Sequence, residues 1–157
     1  MDWNGLSDYF DGLADDIIDD VPEVVAETAT EYFKETFTKK EFDGNPWAPA
    51  KKAKHTGSLL IESGNLVNSI KPSYIGTDKV VISAGSDKVS YAQAHNEGFT
   101  GMALIPAHTR RTKKGGIANV REYNRRMNLP QRQFMGEANE LAAVMVERIE
   151  DAIAKKI

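Results

Sequence analysis

From Leu6 to Phe37 an apolar residue recurs every three or four positions, at Leu6, Phe10, Leu13, Ile17, Val21, Val24/Val25, Ala29, Phe33 and Phe37. That period sets these side chains on one stripe of an α-helix and is incompatible with the two-residue alternation of a strand. The rest of the chain has to supply a partner for a long helical stripe. Pro22 interrupts it: proline has no amide hydrogen and its ring crowds the preceding turn. The expectation is a break near Asp20, giving two helices with Pro22 in the first turn of the second, where Glu23 complements the positive helix end.

A second amphipathic helix closes the chain, with Leu141, Val144/Met145, Ile149 and Ile153 on one face. Glu137 and Glu140 in its first turn and Lys155 and Lys156 in its last match the polarity of a helix dipole. Between the helices the pattern changes. "EFDGNPWAPAKKAKHTG" holds Gly44, Pro46, Pro49 and Gly57 and is read as irregular, with Trp47 a packing anchor. In "LLIESGNLVNSI", Ser63 caps a short helix over Leu66 to Ile70. Ser73 to Gly76 and Val80 to Ala84 read as strands around a Thr77-Asp78 turn. "YAQAHNEG" gives a short helix stopped by Gly98. Met102 to Pro130 reads as a long hairpin whose tip is Lys113-Lys114-Gly115-Gly116, since adjacent glycines permit the backbone a tight turn needs.

The expected fold class is α+β: N-terminal helices and a C-terminal helix packed on a small antiparallel sheet, with a long basic β-hairpin arm. A single domain over 1–157 divides into an acidic helical part (1–38), a loop, short helix and sheet (39–100), the basic arm (101–130) and the C-terminal helix (131–157). The 157 residues suffice to bury a core without disulfides or metals, and with no cysteine neither thiol chemistry nor a Cys-based zinc site is open to the chain. No apolar run is long enough to span a bilayer, and "MDWNGLSDYF" lacks the basic and apolar regions of a signal peptide, so no membrane partner is expected.

Little in the sequence supports catalysis. His55, His95 and His108 form no pair at metal-ligand spacing, so no metal and no cofactor is expected. Ser63-Gly64 lacks the frame of a nucleophile elbow, and "GFTG" and "KKGG" lack that of a phosphate loop. His95 and Glu97 invite an acid–base reading, yet a spacing of two turns their side chains apart on a helix. His95 is read as an orienting residue.

Charge is distributed more tellingly. Residues 1 to 33 carry ten acids (Asp2, Asp8, Asp11, Asp15, Asp16, Asp19, Asp20, Glu23, Glu27, Glu31) and no Lys or Arg. From Arg110 to Arg132, Arg110, Arg111, Lys113, Lys114, Arg121, Arg125, Arg126 and Arg132 face Glu122 alone, a net +7. Such polarity is commonest as plain solvated surface. Its sharper readings are an electrostatic interface with another copy or a partner protein, and nonspecific nucleic-acid binding by the arm. Tyr123 is the only ring between Arg110 and Arg132, so a stacking platform for single strands is not evident.

Four blocks in order, "EFDGNPWAP", "LLIESGNLVNSI", "VVISAGSDKVSYAQAHNEG" and "LPQRQFMGEANE", together resemble the phage virion-morphogenesis family, the Mu G-like and tail-completion proteins of tailed phages and prophages. The matching positions are Phe42, Gly44, Pro46 and Trp47; Leu60, Ser63, Gly64, Leu66, Ser69 and Ile70; Tyr91, Ala92, His95 and Gly98; and Pro130, Arg132, Phe134, Met135 and Gly136. The resemblance covers roughly residues 30 to 156 and leaves the acidic start outside. It implies two helical layers against a small antiparallel sheet, and copies that assemble as a ring at the head-proximal end of the tail. The implied partners are the chain itself and phage tail and head or connector proteins, in the host cytoplasm during assembly and then in the virion. Trp47, Gly64, Tyr91, His95, Gly98, Phe134 and Gly136 are then structural, and the basic residues are the candidate interface.

Overall fold

The computed structural model describes residues 3–51 and 57–157, with side chains from residue 8 onward. Asp2 and His55 lie outside the described residues, as does much of the irregular stretch after Lys51. The first helix, α1 (Trp3–Lys39), runs unbroken through Pro22, which corrects the expected pair of helices. The proline removes only the hydrogen bond to the carbonyl of Ile18, and that residue is 53% exposed, so water can take the bond's place. The apolar stripe continues on both sides, and its packing favours continuity. Glu23 therefore lies in a helix interior and has no helix end to complement.

Over its second half α1 turns Ala26, Ala29, Phe33 and Phe37 into the core. Thr28, Thr36 and Thr30 sit among them with hydroxyls bonded back to the carbonyls of Val24, Phe33 and Ala26, so none buries an unsatisfied donor. Lys40 ends the helix in left-handed backbone, φ 61°, its N–H on the Thr36 carbonyl at 2.7 Å. A tight hairpin follows, β1 (Glu41–Phe42) and β2 (Asn45–Pro46), turning on Asp43 and Gly44. It returns the chain so that Trp47 meets Phe37 edge to face at 5.4 Å, and Phe134 tilts onto Phe37 at 5.1 Å. The Trp47 ring N–H donates to the Gln133 carbonyl at 2.6 Å, giving this buried indole the polar partner it requires.

The middle of the chain supplies α2 (Asn65–Asn68), then β3 (Lys71–Ile75) and β4 (Val80–Ser83), antiparallel as expected. Gly64, at φ 76°, holds the N-cap place of α2, while the Ser63 hydroxyl accepts only a long bond from the Asn65 N–H at 3.4 Å. Leu66 and Ile70 reach the core. Next come α3 (Ala92–Glu97) and the strands β5 (Phe99–Ile105), β6 (His108–Arg111), β7 (Ile117–Val120) and β8 (Tyr123–Leu129). Strand pairing among the described residues is two-stranded throughout, β1–β2, β3–β4, β5–β8 and β6–β7, the last two lying in one hairpin, in place of a single small antiparallel sheet.

The last helix, α4 (Asn139–Ala154), lies antiparallel to α1. Tyr32 meets Glu140 at one end, Arg148 pairs with Glu31, and at the other end Lys156 reaches the Asp20 carboxylate at 2.6 Å and the Asp16 carbonyl. Glu137 precedes the helix rather than lying in its first turn, and the N-cap residue Ala138 offers no side-chain bond. The cap comes from elsewhere: Asp43 accepts the Glu140 N–H at 3.0 Å and the Asn139 amide at 3.2 Å. Those N–H bonds hold the Asp43 carboxyl below the usual carboxylate range.

Candidate functional site

The basic arm grows from a braced root. α3 ends at Gly98, whose φ of 79° and ψ of 161° belong to backbone that is essentially glycine's alone. A side chain there would also begin 3.1 Å from the Gln131 backbone nitrogen, so the two roots of the arm would have to part by a few tenths of an ångström to admit it. The Arg132 N–H bonds the His95 carbonyl at 2.9 Å. Next to it the Asn96 side-chain oxygen accepts the N–H groups of Phe134 and Met135 at 2.9 and 3.0 Å, and its amide donates to the Met135 carbonyl at 3.2 Å. α3 thus clamps the segment by which the chain leaves the arm.

Of the residues anticipated at this root, His95 contributes its backbone and packs its ring edge-on against Tyr91 at 5.7 Å. Glu97 bonds Gln93 instead, one turn back, so the two do not form an acid–base pair. Phe134 is fully in the core, and Gly136, at φ 145°, bends the chain towards α4. A cavity of about 550 Å³ opens beside the root, lined in part by Leu59, Leu60, Tyr91, His95 and Leu129. Among the described residues no group of three or more His, Cys, Asp or Glu is placed to hold a metal.

Beyond the root, Phe99 pairs with Leu129 and Ile105 with Tyr123; after a gap of two residues on each strand, His108 pairs with Val120 and Arg111 with Ile117. One register runs the length of the hairpin, so the strands form a continuous ribbon interrupted only at Pro106, which cannot donate to the ladder. The Thr112 N–H on the Gly116 carbonyl at 2.8 Å closes the tip, and Gly115 takes φ 86°. Beyond pairing with each other, the arm strands pack extensively against no other element of the chain.

Seven of the eight anticipated basic residues lie exposed on or beside this ribbon: Arg110, Arg111, Lys113, Lys114, Arg121, Arg125 and Arg126. Arg132 does not join them. It is 7% exposed and its guanidinium donates to the carbonyls of Ala48 and Pro49 at 2.9 and 3.2 Å, binding the arm root to the loop after Trp47. Burial lowers its pKa below the ordinary arginine value.

The charge pattern alone missed the apolar half of this surface. Side chains opposite each other share a face of a ribbon, so Met102, Leu104, Asn124 and Arg126 stand together. Met102 is 63% exposed, Leu104 61% and, near the tip, Ile117 76%. The signal is the unbroken apolar run Met102-Ala103-Leu104-Ile105 in "FTGMALI", which on a strand sets large side chains on both faces. At the other end of the chain, Tyr9 and Phe10 on α1 are also more than half exposed. Isolated two-stranded ribbons are marginal in water, and this one presents large apolar side chains to solvent.

The α+β body carries an acidic helix and a basic, partly apolar ribbon whose strands, among the described residues, pack extensively only against each other. The chain belongs to the phage virion morphogenesis family, which matches residues 1–155. That match includes the acidic start of α1, which the motif resemblance had left outside. No curated protein and no solved structure matches the chain. Its role is in phage structure or assembly, and membership points to a structural rather than catalytic part in it. Among the described residues no helix is long and apolar enough to cross a membrane.

Proposed function

We propose that the protein is a non-enzymatic tail-completion or head–tail neck component that acts as an oligomeric ring and resides at the neck or tail end of the virion. The arm carries this reading: exposed Met102 and Leu104 beside Arg126, on a ribbon whose described strands pack extensively only against each other, form a surface that a neighbouring subunit would cover. Family membership sets the context, and phage tail and head or connector proteins are the remaining partners. The purified protein should show rings by negative-stain microscopy, and a phage lacking it should accumulate heads and tails that do not join. A protein monomeric at all accessible concentrations, or a deletion that leaves virions intact, would overturn the reading; capsids that fail to form would instead favour a capsid-assembly role within the same family.

One observation favours a second reading, a nucleic-acid-binding module. The seven exposed basic residues lie on a narrow two-stranded ribbon with Glu122 the single acid between Arg110 and Arg126, and a ribbon of this kind fits a DNA groove. Binding to duplex DNA that falls steeply with salt, and is lost on neutralising Arg110, Arg111, Arg125 and Arg126, would support it. Salt-independent or absent binding leaves the assembly reading.

A further inference from the structure

We infer that the N-terminal end of α1 from one copy lies along the exposed face of the arm of a second copy, with Phe10 and Leu13 against Met102 and Leu104. This rests on the reading of the protein as a self-assembling ring component and specifies the contact by which it closes.

The two surfaces leave the body in different places. The arm root is fixed at the C-terminal end of α1, where Phe134 packs on Phe37. Phe10 lies 27 residues up the same helix, about 40 Å away at 1.5 Å per residue. The last anchor of α1 on the body is Lys156 at Asp16 and Asp20. Before it, the stripe continues through Leu13, half-buried, to Phe10, 55% exposed, with Tyr9 57% exposed beside it. A core-facing stripe that outruns its core is the apolar half of a contact made elsewhere.

Charge and size fit the arm as its occupant. Between residues 8 and 20 stand Asp8, Asp11, Asp15, Asp16, Asp19 and Asp20 with no Lys or Arg, whereas the arm, without the buried Arg132, carries seven basic residues against Glu122. Helical spacing puts Asp16 and Asp20, the latter paired with Lys156, on the flank of the apolar stripe, Asp11 and Asp19 further round, and Asp8 and Asp15 behind it; on the arm strands, Arg110 and Arg126 share the face of Met102 and Leu104. The seven residues of β5 extend about 23 Å and residues 8 to 20 of α1 about 20 Å, so one lies along the other. Such a contact joins two different surfaces and is heterologous, the kind that closes into a ring or continues as a filament. Opposite potentials would speed encounter and fix register, and the apolar residues would hold the contact once made.

Charge reversal in the full-length chain tests this by analytical ultracentrifugation. Arg110→Glu with Arg126→Glu, which share the face of Met102 and Leu104, and separately Asp11→Lys with Asp16→Lys, should each weaken self-association roughly tenfold or more at about 0.1 M salt. A chain with all four reversals should recover it, which no loss of internal stability would do. All these residues are exposed, so melting curves should match the wild type; a variant that unfolds is replaced by Met102→Ala with Leu104→Ala, expected to weaken assembly at high salt as well. A wild type that associates while the reversed variants keep its full association overturns this contact and leaves the ring reading standing, as does a fourfold variant that fails to recover. A monomeric wild type overturns both, and retention of full association with duplex DNA bound to the same arm face overturns the contact alone.

Discussion

The side-chain oxygen of Asn96 accepts the backbone N–H of Phe134 at 2.9 Å, tying the helix before the arm to the irregular segment that follows it. The same oxygen takes the Met135 N–H, and the Asn96 amide returns a bond to the Met135 carbonyl. Replacing Asn96 with Ala strands two backbone donors in a half-buried place, which should destabilise the fold by about 1–3 kcal/mol. Asn96→Asp keeps the acceptor but opposes a carboxylate to the Met135 carbonyl, so it should fall between wild type and Ala at neutral pH. Urea unfolding measures both, and an Asn96→Ala midpoint equal to wild type would show the clamp to be dispensable.

Gly98 sets the opening of the arm through its backbone alone. At φ 79° and ψ 161°, with the Gln131 nitrogen 3.1 Å from where a Cβ would stand, Gly98→Ala meets both strain and a backbone contact that cannot swing aside. The expected loss is about 2–3 kcal/mol, with faster proteolysis of the arm as its roots separate. An alanine variant of unchanged stability and protease resistance would contradict this.

Tyr32, Asp43 and Glu140 form a polar joint between the two long helices, and it predicts stability against pH at both extremes. Burial first, then the Glu140 carboxylate that its hydroxyl meets at 3.1 Å, raise the Tyr32 phenol to about 12. A group raised above its unfolded value contributes stability that is complete below pH about 10 and declines as pH climbs towards 12. Asp43 has the opposite sign: its carboxyl is held down by the Glu140 N–H, so its contribution is present above the ordinary carboxylate range and fades as acid protonates it. Tyr32→Phe should flatten the alkaline decline and Asp43→Ala the acidic one, with Asp43→Asn closer to wild type at neutral pH because it keeps an acceptor for the helix end. Melting curves from pH 2 to 12 would show both limbs; variants with unaltered limbs would remove the joint from the explanation.

The sequence made local features legible and left tertiary assignments hidden, for physical reasons that particular residues illustrate. The stripe of α1 could be read because a period of three to four has one geometric meaning, and the hairpin tip because Gly115-Gly116 allows few alternatives. Pro22 misled because a proline breaks a helix only where its lost hydrogen bond matters, and the exposure of Ile18 is not written in the sequence. Asp43 read as a turn residue in "FDGN"; that it caps a helix almost a hundred positions later depends on how α1 and α4 pack. Asn96, between His95 and Glu97, carried no local signal while its neighbours drew the chemical reading. Arg132 has the same formal charge as Arg126, and only the carbonyls of Ala48 and Pro49 distinguish them.

That last distinction gives a prediction separating the fold of the arm from its use. Arg132 is buried and its guanidinium ties the carbonyls of Ala48 and Pro49 to the arm root, so Arg132→Ala opens a void there and loses that tie. The expected cost is about 2–3 kcal/mol of stability, seen as a lower melting temperature at any salt concentration. Arg132→Lys keeps the charge but not the two-pronged geometry, and should recover only part of it. Arg126→Ala, on the exposed ribbon, should change stability by no more than about 0.5 kcal/mol and act instead on self-association, in a salt-dependent way. If both substitutions moved the melting temperature alike, the ribbon arginines would be part of the folded core's support; if both moved only assembly, Arg132 would belong to the interface despite its burial.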